Sequence, residues 1–266
     1  MTRISVWQSR AHTAEHVSFP RLRLRIAIGM RMSSSFGGIV FKRSMDIALA
    51  GFLLAASLPL LAFAAIVIKL DSGGPVLFRQ ARMGRRSRRF QLLKLRTMRI
   101  SSDGPVFTLG EDPRITRVGR WLRWLKVDEL PQLWNVLRGE MSLVGPRPVV
   151  PELTLEFKSE YERLLRVRPG LTDPATLKYC REDELLALVP DPLEHFKTVL
   201  TPDKLRISQT YLEHANIWLD LGVLAGTVVA LYPSNWVPRF GQSPATGRRS
   251  AAARLSPESV QGAGGD

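Results

Sequence analysis

The pattern of apolar and polar positions is most lopsided between Ile47 and Ile68. There the chain reads IALAGFLLAASLPLLAFAAIVI, 22 residues without a charge. A straight helix of that length spans about 33 Å, against a bilayer hydrocarbon core of about 30 Å. The run predicts a membrane helix. The other reading, a helix buried in a soluble core, has to explain why no polar face interrupts it. The run lies too far along the chain for a signal peptide, and no small-residue cleavage site follows it. Pro59 falls near its middle, where it removes a backbone donor and crowds the preceding turn. Two arrangements follow: a tilted span with a tolerated proline, or a helix broken at Pro59 that enters and leaves by the same leaflet. Ser57 is placed to donate to a carbonyl loosened by that break.

After the apolar run the period changes. Residues 75–83 and 89–98 alternate apolar and polar positions around a basic turn, which predicts a small β-hairpin. Arg114–Lys126 reads as an amphipathic basic helix, and Leu130–Leu137 as a short helix stopped by Gly139. Val149–Val167 reads as helix between Pro148 and Pro169. Leu193–Tyr232 is mostly helical, its end from Leu221 being apolar but too short to span, which suits an interfacial helix. The predicted fold is α+β and mainly helical: a re-entrant membrane helix-hairpin, interfacial amphipathic helices, and a small cytosolic hairpin and helical domain. The expected division is a basic, loosely ordered extension over 1–38, the membrane helix over 39–72, a globular domain over 73–239, and a disordered Gly/Ser/Ala/Pro-rich tail over 240–266.

Charge sharpens the membrane reading. The 266 residues carry 38 Lys and Arg against 24 Asp and Glu, a formal charge of +14. Residues 1–43 hold eight basic and one acidic side chain, and residues 69–99 hold ten and one, so the excess flanks the apolar run on both sides. Basic flanks stay on the cytoplasmic side, and a straight span would export one of them, so the re-entrant form is favoured. The run RMGRRSRRF at 82–90 resembles a nucleic-acid patch by charge alone, but it lacks an aromatic stacking ladder. Anionic lipid headgroups are the simpler partner, and no nucleic acid is expected. The single cysteine, Cys180, rules out an intramolecular disulfide and suits a cytosol-facing location.

No phosphate-binding loop, dinucleotide fingerprint, HExxH or G-x-S-x-G occurs, and four scattered His with one Cys form no metal cluster. The notable acids are Asp128 and Glu129. They read in two ways: as a helix N-cap and first-turn acid ahead of Pro131, or as a carboxylate pair beside arginines, placed to hold Mg²⁺ and meet a phosphoryl group. Arg147, in the stiff turn Gly145-Pro146-Arg147-Pro148, Arg123, five residues before Asp128, and Arg168, before Pro169-Gly170, are candidate phosphate clamps. Each reads otherwise as a surface arginine.

Together the pieces resemble a family. K-R-x-x-D (Lys42, Arg43, Asp46), the proline-broken apolar helix, G-P-V-x-F-R-Q (74–80), K-x-R-T-M (94–98), D-P-R-I-T-x-x-G (112–119), D-E-L-P-Q-L-x-N-V-x-x-G-x-M-S-x-V-G-P-R-P (128–148) and V-R-P-G-L-T (167–172) resemble, in order, the bacterial sugar transferases, the monotopic phosphoglycosyl transferases. The resemblance implies transfer of a sugar-1-phosphate from a UDP-sugar to undecaprenyl phosphate with release of UMP, at the cytosolic face of the bacterial inner membrane, starting exopolysaccharide, capsule or O-antigen assembly. It implies Mg²⁺ and an aspartyl-phosphosugar intermediate. It places the catalytic dyad on Asp128 and Glu129, with Asp128 also meeting the metal, phosphate contacts on Arg123 and Arg147, and the helix break on Pro59. A catalytically silent membrane adaptor of the same fold is the alternative. The chain departs from many relatives at Ser57-Leu58-Pro59, where serine does not directly precede the proline, at Ser87, and at Asp173-Pro174-Ala175, where Gly-Trp-Ala is frequent. The multi-span N-terminal part of larger relatives has no counterpart in this sequence, which implies the minimal form with a basic extension.

Overall fold

The computed structural model describes residues 36–99, 112–180, 182–186 and 189–231. The expected disordered tail over 240–266 lies outside the described residues. So does the basic extension, except that residues 36–38 already belong to the first helix.

Helix α1, Phe36–Asp71, takes in the apolar run and continues helically through Pro59. It is long and apolar enough to cross a membrane, and only 11% of its most apolar window is buried within the protein. Phe52, Phe63 and Ile66 stand exposed. A soluble-core helix would bury such side chains at a gain of about 25 cal/mol per Å², so the core-helix reading fails and membrane association remains. The buried stripe of α1 is narrow and small: Ala50 faces one hydrophobic cluster, and Ala64 with Ile68 faces a second. The Ser57 hydroxyl donates to the Leu54 carbonyl at 3.0 Å, two residues ahead of the proline.

Polar ties anchor α1 to the rest of the protein. Buried Asp46 accepts from the Ser142 hydroxyl at 2.7 Å and from the Leu143 amide at 3.2 Å. Lys42 pairs with buried Asp220, which also accepts from Tyr211. At the other end the buried Arg96 guanidinium donates to the carbonyls of Ser72 and Gly73 and so closes the helix C-terminus with a cation.

The predicted hairpin is present. Strands β1, Leu77–Met83, and β2, Arg89–Leu95, pair antiparallel with Phe78 opposite Lys94 and Arg82 opposite Phe90. Helix α2 is shorter than its apolar period predicts, Arg117–Trp124, because Thr116 caps it: its hydroxyl accepts from the Gly119 amide at 2.9 Å. Arg114, which the period included, instead binds Asp112. Gly119 is a packing requirement, since a Cβ there would sit 2.0 Å from the Thr97 carbonyl oxygen. A 3₁₀ turn, Val127–Glu129, leads to helix α3, Gln132–Leu137, and Gly139 stops it at φ +82° as the sequence predicts. Buried Asn135 in α3 accepts from the Leu93 amide and donates to the Gln91 carbonyl, fastening α3 to the edge of β2.

The stretch Val149–Val167 is two helices, α4 (Pro151–Glu156) and α5 (Lys158–Leu164), broken at Phe157, whose φ −121° and ψ 51° lie outside the helical region. Two three-residue strands that periodicity does not predict, β3 (Ser142–Val144) and β4 (Gly170–Thr172), pair in parallel. Where β3 ends the two backbones lie so close that a Cβ on Gly170 would meet the Gly145 nitrogen at 2.1 Å. Helices α6 (Pro174–Lys178), α7 (Glu182–Leu186) and α8 (Pro192–His195) follow, then a π turn (Phe196–Leu200) and α9 (Thr201–His214). The last helix, α10, runs Ile217–Leu231, starting four residues earlier than its apolar end suggests. Asp173 explains the departure from the frequent Gly-Trp-Ala: it caps α6 through the Thr176 amide and accepts from Ser208 on α9, both at 2.7 Å.

Candidate active site

The site is built where α2 hands over to α3. Lys126 takes a left-handed conformation, φ 55°, which ends α2 and turns the chain into the Val127–Glu129 turn. Asp128 is not an N-cap. The residue before α3 is Pro131, no side chain caps that helix, and Asp128 lies in the preceding turn. Its side chain is 5% exposed, and its Oδ1 is buried without a hydrogen-bond partner. An unpaired buried carboxylate oxygen is costly and calls for a functional explanation. One turn on, the buried Gln132 Nε2 is unpartnered as well.

Glu129, the next residue, has the opposite surroundings. Its Oε1 accepts from Arg147 Nη2 at 2.6 Å and from Lys94 Nζ at 3.1 Å. Arg147 comes from the rigid Gly-Pro-Arg-Pro turn that follows β3, and its Nη1 donates to the Leu171 carbonyl on β4 at 3.3 Å. The pairing of β3 with β4 therefore sets where Arg147 points. Lys94 reaches Glu129 from β2. It is a site residue that sequence reasoning missed, although the K-x-R-T-M motif contains it.

The two carboxylates titrate in opposite directions. Burial pushes Asp128 above the usual carboxylate range, with the neighbouring Glu129 charge adding to it against Lys94, Lys126 and Arg123. Burial also pushes on Glu129, but Arg147 and Lys94 outweigh it and hold its carboxyl well below the usual range. Adjacent acids with separated affinities for a proton mark a division of labour. Glu129 stays ionised and locked in an ion pair, whereas Asp128 is the more basic and has the free oxygen.

Of the predicted clamps, Arg147 contacts Glu129 directly. Arg123 is nearby: its Nε donates to the Thr97 hydroxyl at 2.8 Å and its charge acts on Asp128. Arg168 stands apart. Its Nε donates to the Gly139 carbonyl at 2.9 Å beyond the C-terminal end of α3, and the charges acting on it, after burial, are those of Arg43 and Asp46. Among the described residues no group of three His, Cys, Asp or Glu could hold a metal by itself. The buried, unpartnered Oδ1 of Asp128 suits a hard cation that completes its shell with water and phosphate, the habit of Mg²⁺.

A family model described as "Bacterial sugar transferase" matches residues 38–233. The chain is 41% identical over 201 residues to the undecaprenyl-phosphate glucose phosphotransferase of Komagataeibacter xylinus, covering 70% of this chain and 35% of that one. It is 41% identical over 196 residues to the UDP-glucose:undecaprenyl-phosphate glucose-1-phosphate transferase of Caulobacter vibrioides, covering 71% and 69%. It is 36% identical over 201 residues to the exopolysaccharide production protein PSS of Rhizobium leguminosarum bv. phaseoli, covering 72% and 95%. The chain thus spans about a third of the first relative and about two thirds of the second.

Proposed function

The chain belongs to the bacterial sugar transferase family, and on that premise we propose that it moves a sugar-1-phosphate from a UDP-sugar to undecaprenyl phosphate at the cytosolic face of the bacterial inner membrane, as the initiating step of exopolysaccharide-type glycan assembly. The observation that carries the proposal is the buried Asp128 with a free oxygen beside an ion-paired Glu129.

Asp128 acts as nucleophile. One of its carboxylate oxygens attacks the β-phosphorus, the bond from that phosphorus to the bridging oxygen breaks, and UMP leaves with the electron pair. An oxygen of the lipid phosphate then attacks the same phosphorus, the acyl-phosphate bond breaks, and the Asp128 carboxylate is restored. Two displacements let a soluble donor and a lipid acceptor use the site in turn. Arg147 and Arg123 offset charge developing on the phosphoryl oxygens, and Glu129 fixes the Arg147 fork. Asp128 would hold Mg²⁺ through its other oxygen, and the ion, when bound, supplies charge neutralisation at the donor phosphates. Arg168 is assigned to closing the Gly139 turn rather than to the donor. The complete set of Asp128, Glu129, Arg123 and Arg147 favours an enzyme over a silent adaptor.

Purified protein given a panel of UDP-sugars with Mg²⁺ and undecaprenyl phosphate is expected to release UMP with at least one donor. With donor alone it should accumulate a phosphosugar adduct on Asp128, seen by peptide mass spectrometry. Absence of both with every donor sinks the assignment.

The same reading makes α1 re-entrant in the membrane although it runs helically through Pro59, since basic side chains flank the apolar run on both sides and the Ser57 hydroxyl engages a carbonyl in the turn before that proline. Tags at both termini are expected to stay protected from protease in intact spheroplasts. Cleavage of the amino-terminal tag alone would mean a true span.

A further inference from the structure

One face of the β1–β2 hairpin has a use that the dyad alone does not explain. Phe78, Gln80 and Arg82 share a face of β1, and across the ladder Lys94, Leu92 and Phe90 share it with them. Phe90 and Leu92 are buried in the core cluster, so this face looks inward there, while Phe78 at its far end is exposed. It carries a cation at each end. Lys94 at one end holds Glu129. Arg82 at the other end donates from Nη1 to the Pro148 carbonyl at 3.3 Å and from Nη2 to Gln80 Oε1 at 2.7 Å. Its Nε is buried and unpartnered.

Pro148 follows Arg147 in the stiff turn, so Arg82 grips the residue next to the phosphate clamp. The Met83 amide fastens the same strand end to the Val149 carbonyl at 2.8 Å. Burial, and then the like charge of Arg147, bring the Arg82 guanidinium down to about 10, so it remains charged at neutral pH. Glu129 and Glu152 act on it with the opposite sign. A half-buried arginine with an unpartnered Nε, set beside the charge of another arginine, is a costly arrangement if its only task is to stabilise a hairpin. It makes sense if the second charge confines the first.

We propose that Arg82 is a positioning residue for phosphoryl transfer: its bond to the Pro148 carbonyl fixes the turn, and its like charge confines the Arg147 fork to the side where Glu129 and the donor phosphate lie. This rests on the reading that Arg147 meets the donor. Arg82 itself need not touch the substrate.

The test uses the full-length protein in lipid nanodiscs with four variants, Arg82→Met, Arg82→Lys, Arg147→Met and the double Arg82→Met/Arg147→Met. UMP release is measured as kcat and KM. Arg82→Met is expected to lower kcat/KM about tenfold or more, chiefly through kcat, the scale at which residues orienting a contact group act. Arg82→Lys keeps the charge but not the planar fork and recovers part of that loss. The double variant is no worse than Arg147→Met alone, because Arg82 acts through Arg147; two losses that simply multiply would overturn the proposal. A second readout needs no turnover. Phenylglyoxal labelling of Arg147, followed by peptide mass spectrometry, should quicken several-fold in Arg82→Met, and an unchanged rate also overturns it. Should Arg82→Met fail to fold, Gln80→Leu frees the Arg82 fork more gently and is read in the same two ways. If the native protein turns over no UDP-sugar, the proposed function fails while the labelling still decides the role of Arg82.

Discussion

An Asp128→Asn protein is expected to lose transfer and adduct formation completely while unfolding at a higher temperature than the native protein. The two effects share one cause. Asp128 is buried with an oxygen that nothing satisfies, and burial makes its charged form the unfavourable one. The folded protein therefore binds the Asp128 proton more tightly than the unfolded chain does. Such a group leaves the fold most stable below its unfolded value, and that stability is lost as pH rises through the higher folded value. At neutral pH the native protein carries the whole cost. Asparagine has nearly the same shape and no charge, so the cost is removed; a gain of about 1 kcal/mol raises Tm by roughly 2–4 °C in a chain of this size. The gain should shrink as the pH is lowered toward about 4, where aspartate is protonated in the unfolded chain too. Activity falls to nothing because an amide cannot form the acyl-phosphate. Thermal unfolding at several pH values, beside UMP release, checks both halves. An Asn variant that is less stable at neutral pH would mean that Asp128 serves the fold.

The sequence made the largest elements legible for physical reasons. The 22 uncharged residues leave no polar face to turn toward water, the two alternating runs have the period of strands, and Gly139 supplies a positive φ that few residues tolerate. Where reading fell short, the deciding contact is distant along the chain. Strands β3 and β4 are three residues each, too short for periodicity, and exist because two glycine-flanked backbones meet. Thr116 rather than Arg114 begins α2 because a hydroxyl cap and the Asp112 pair settle a boundary that apolar spacing leaves open. Val149–Val167 keeps a helical pattern through Phe157, and the break there is invisible in composition. At the site, the acidic pair and Arg147 could be named from their motif, but their division of roles could not. That division comes from Lys94 on a strand and Arg147 on a turn converging on one oxygen of Glu129 and leaving Asp128 alone. Lys94 could have been found from the alternation itself, since it breaks the apolar face of β2 that Phe90 and Leu92 begin. Arg168, by contrast, shares its stiff-turn signature with Arg147 but points to a helix end.

Replacing Arg147 tests the other half of the site. Arg147→Met is expected to lower kcat/KM by about 10²–10³, the usual consequence of removing one preorganised donor from a developing oxyanion. Arg147→Lys should recover only part, because a single ammonium cannot serve both Glu129 and the Leu171 carbonyl as the planar fork does. Stability should fall as well, and here the sign is opposite to that at Asp128. Glu129 has its carboxyl held down in the fold, so its ion pair contributes stability above the unfolded carboxylate value, and that contribution is lost as pH drops. Breaking a fully buried pair costs about 3–5 kcal/mol. The Arg147 side chain is 43% exposed and Lys94 remains, so about 1–2 kcal/mol at neutral pH is the reasonable scale. That loss should fade toward pH 4 and below, where Glu129 takes up a proton in the unfolded chain. The paired measurement separates two roles that activity alone confuses. A variant that loses turnover with no pH-dependent loss of stability would place Arg147 on the substrate only, with the Glu129 contact incidental. A variant that loses stability but keeps kcat/KM would make the pair a structural one, and would leave the developing phosphoryl charge to Arg123 and Lys94.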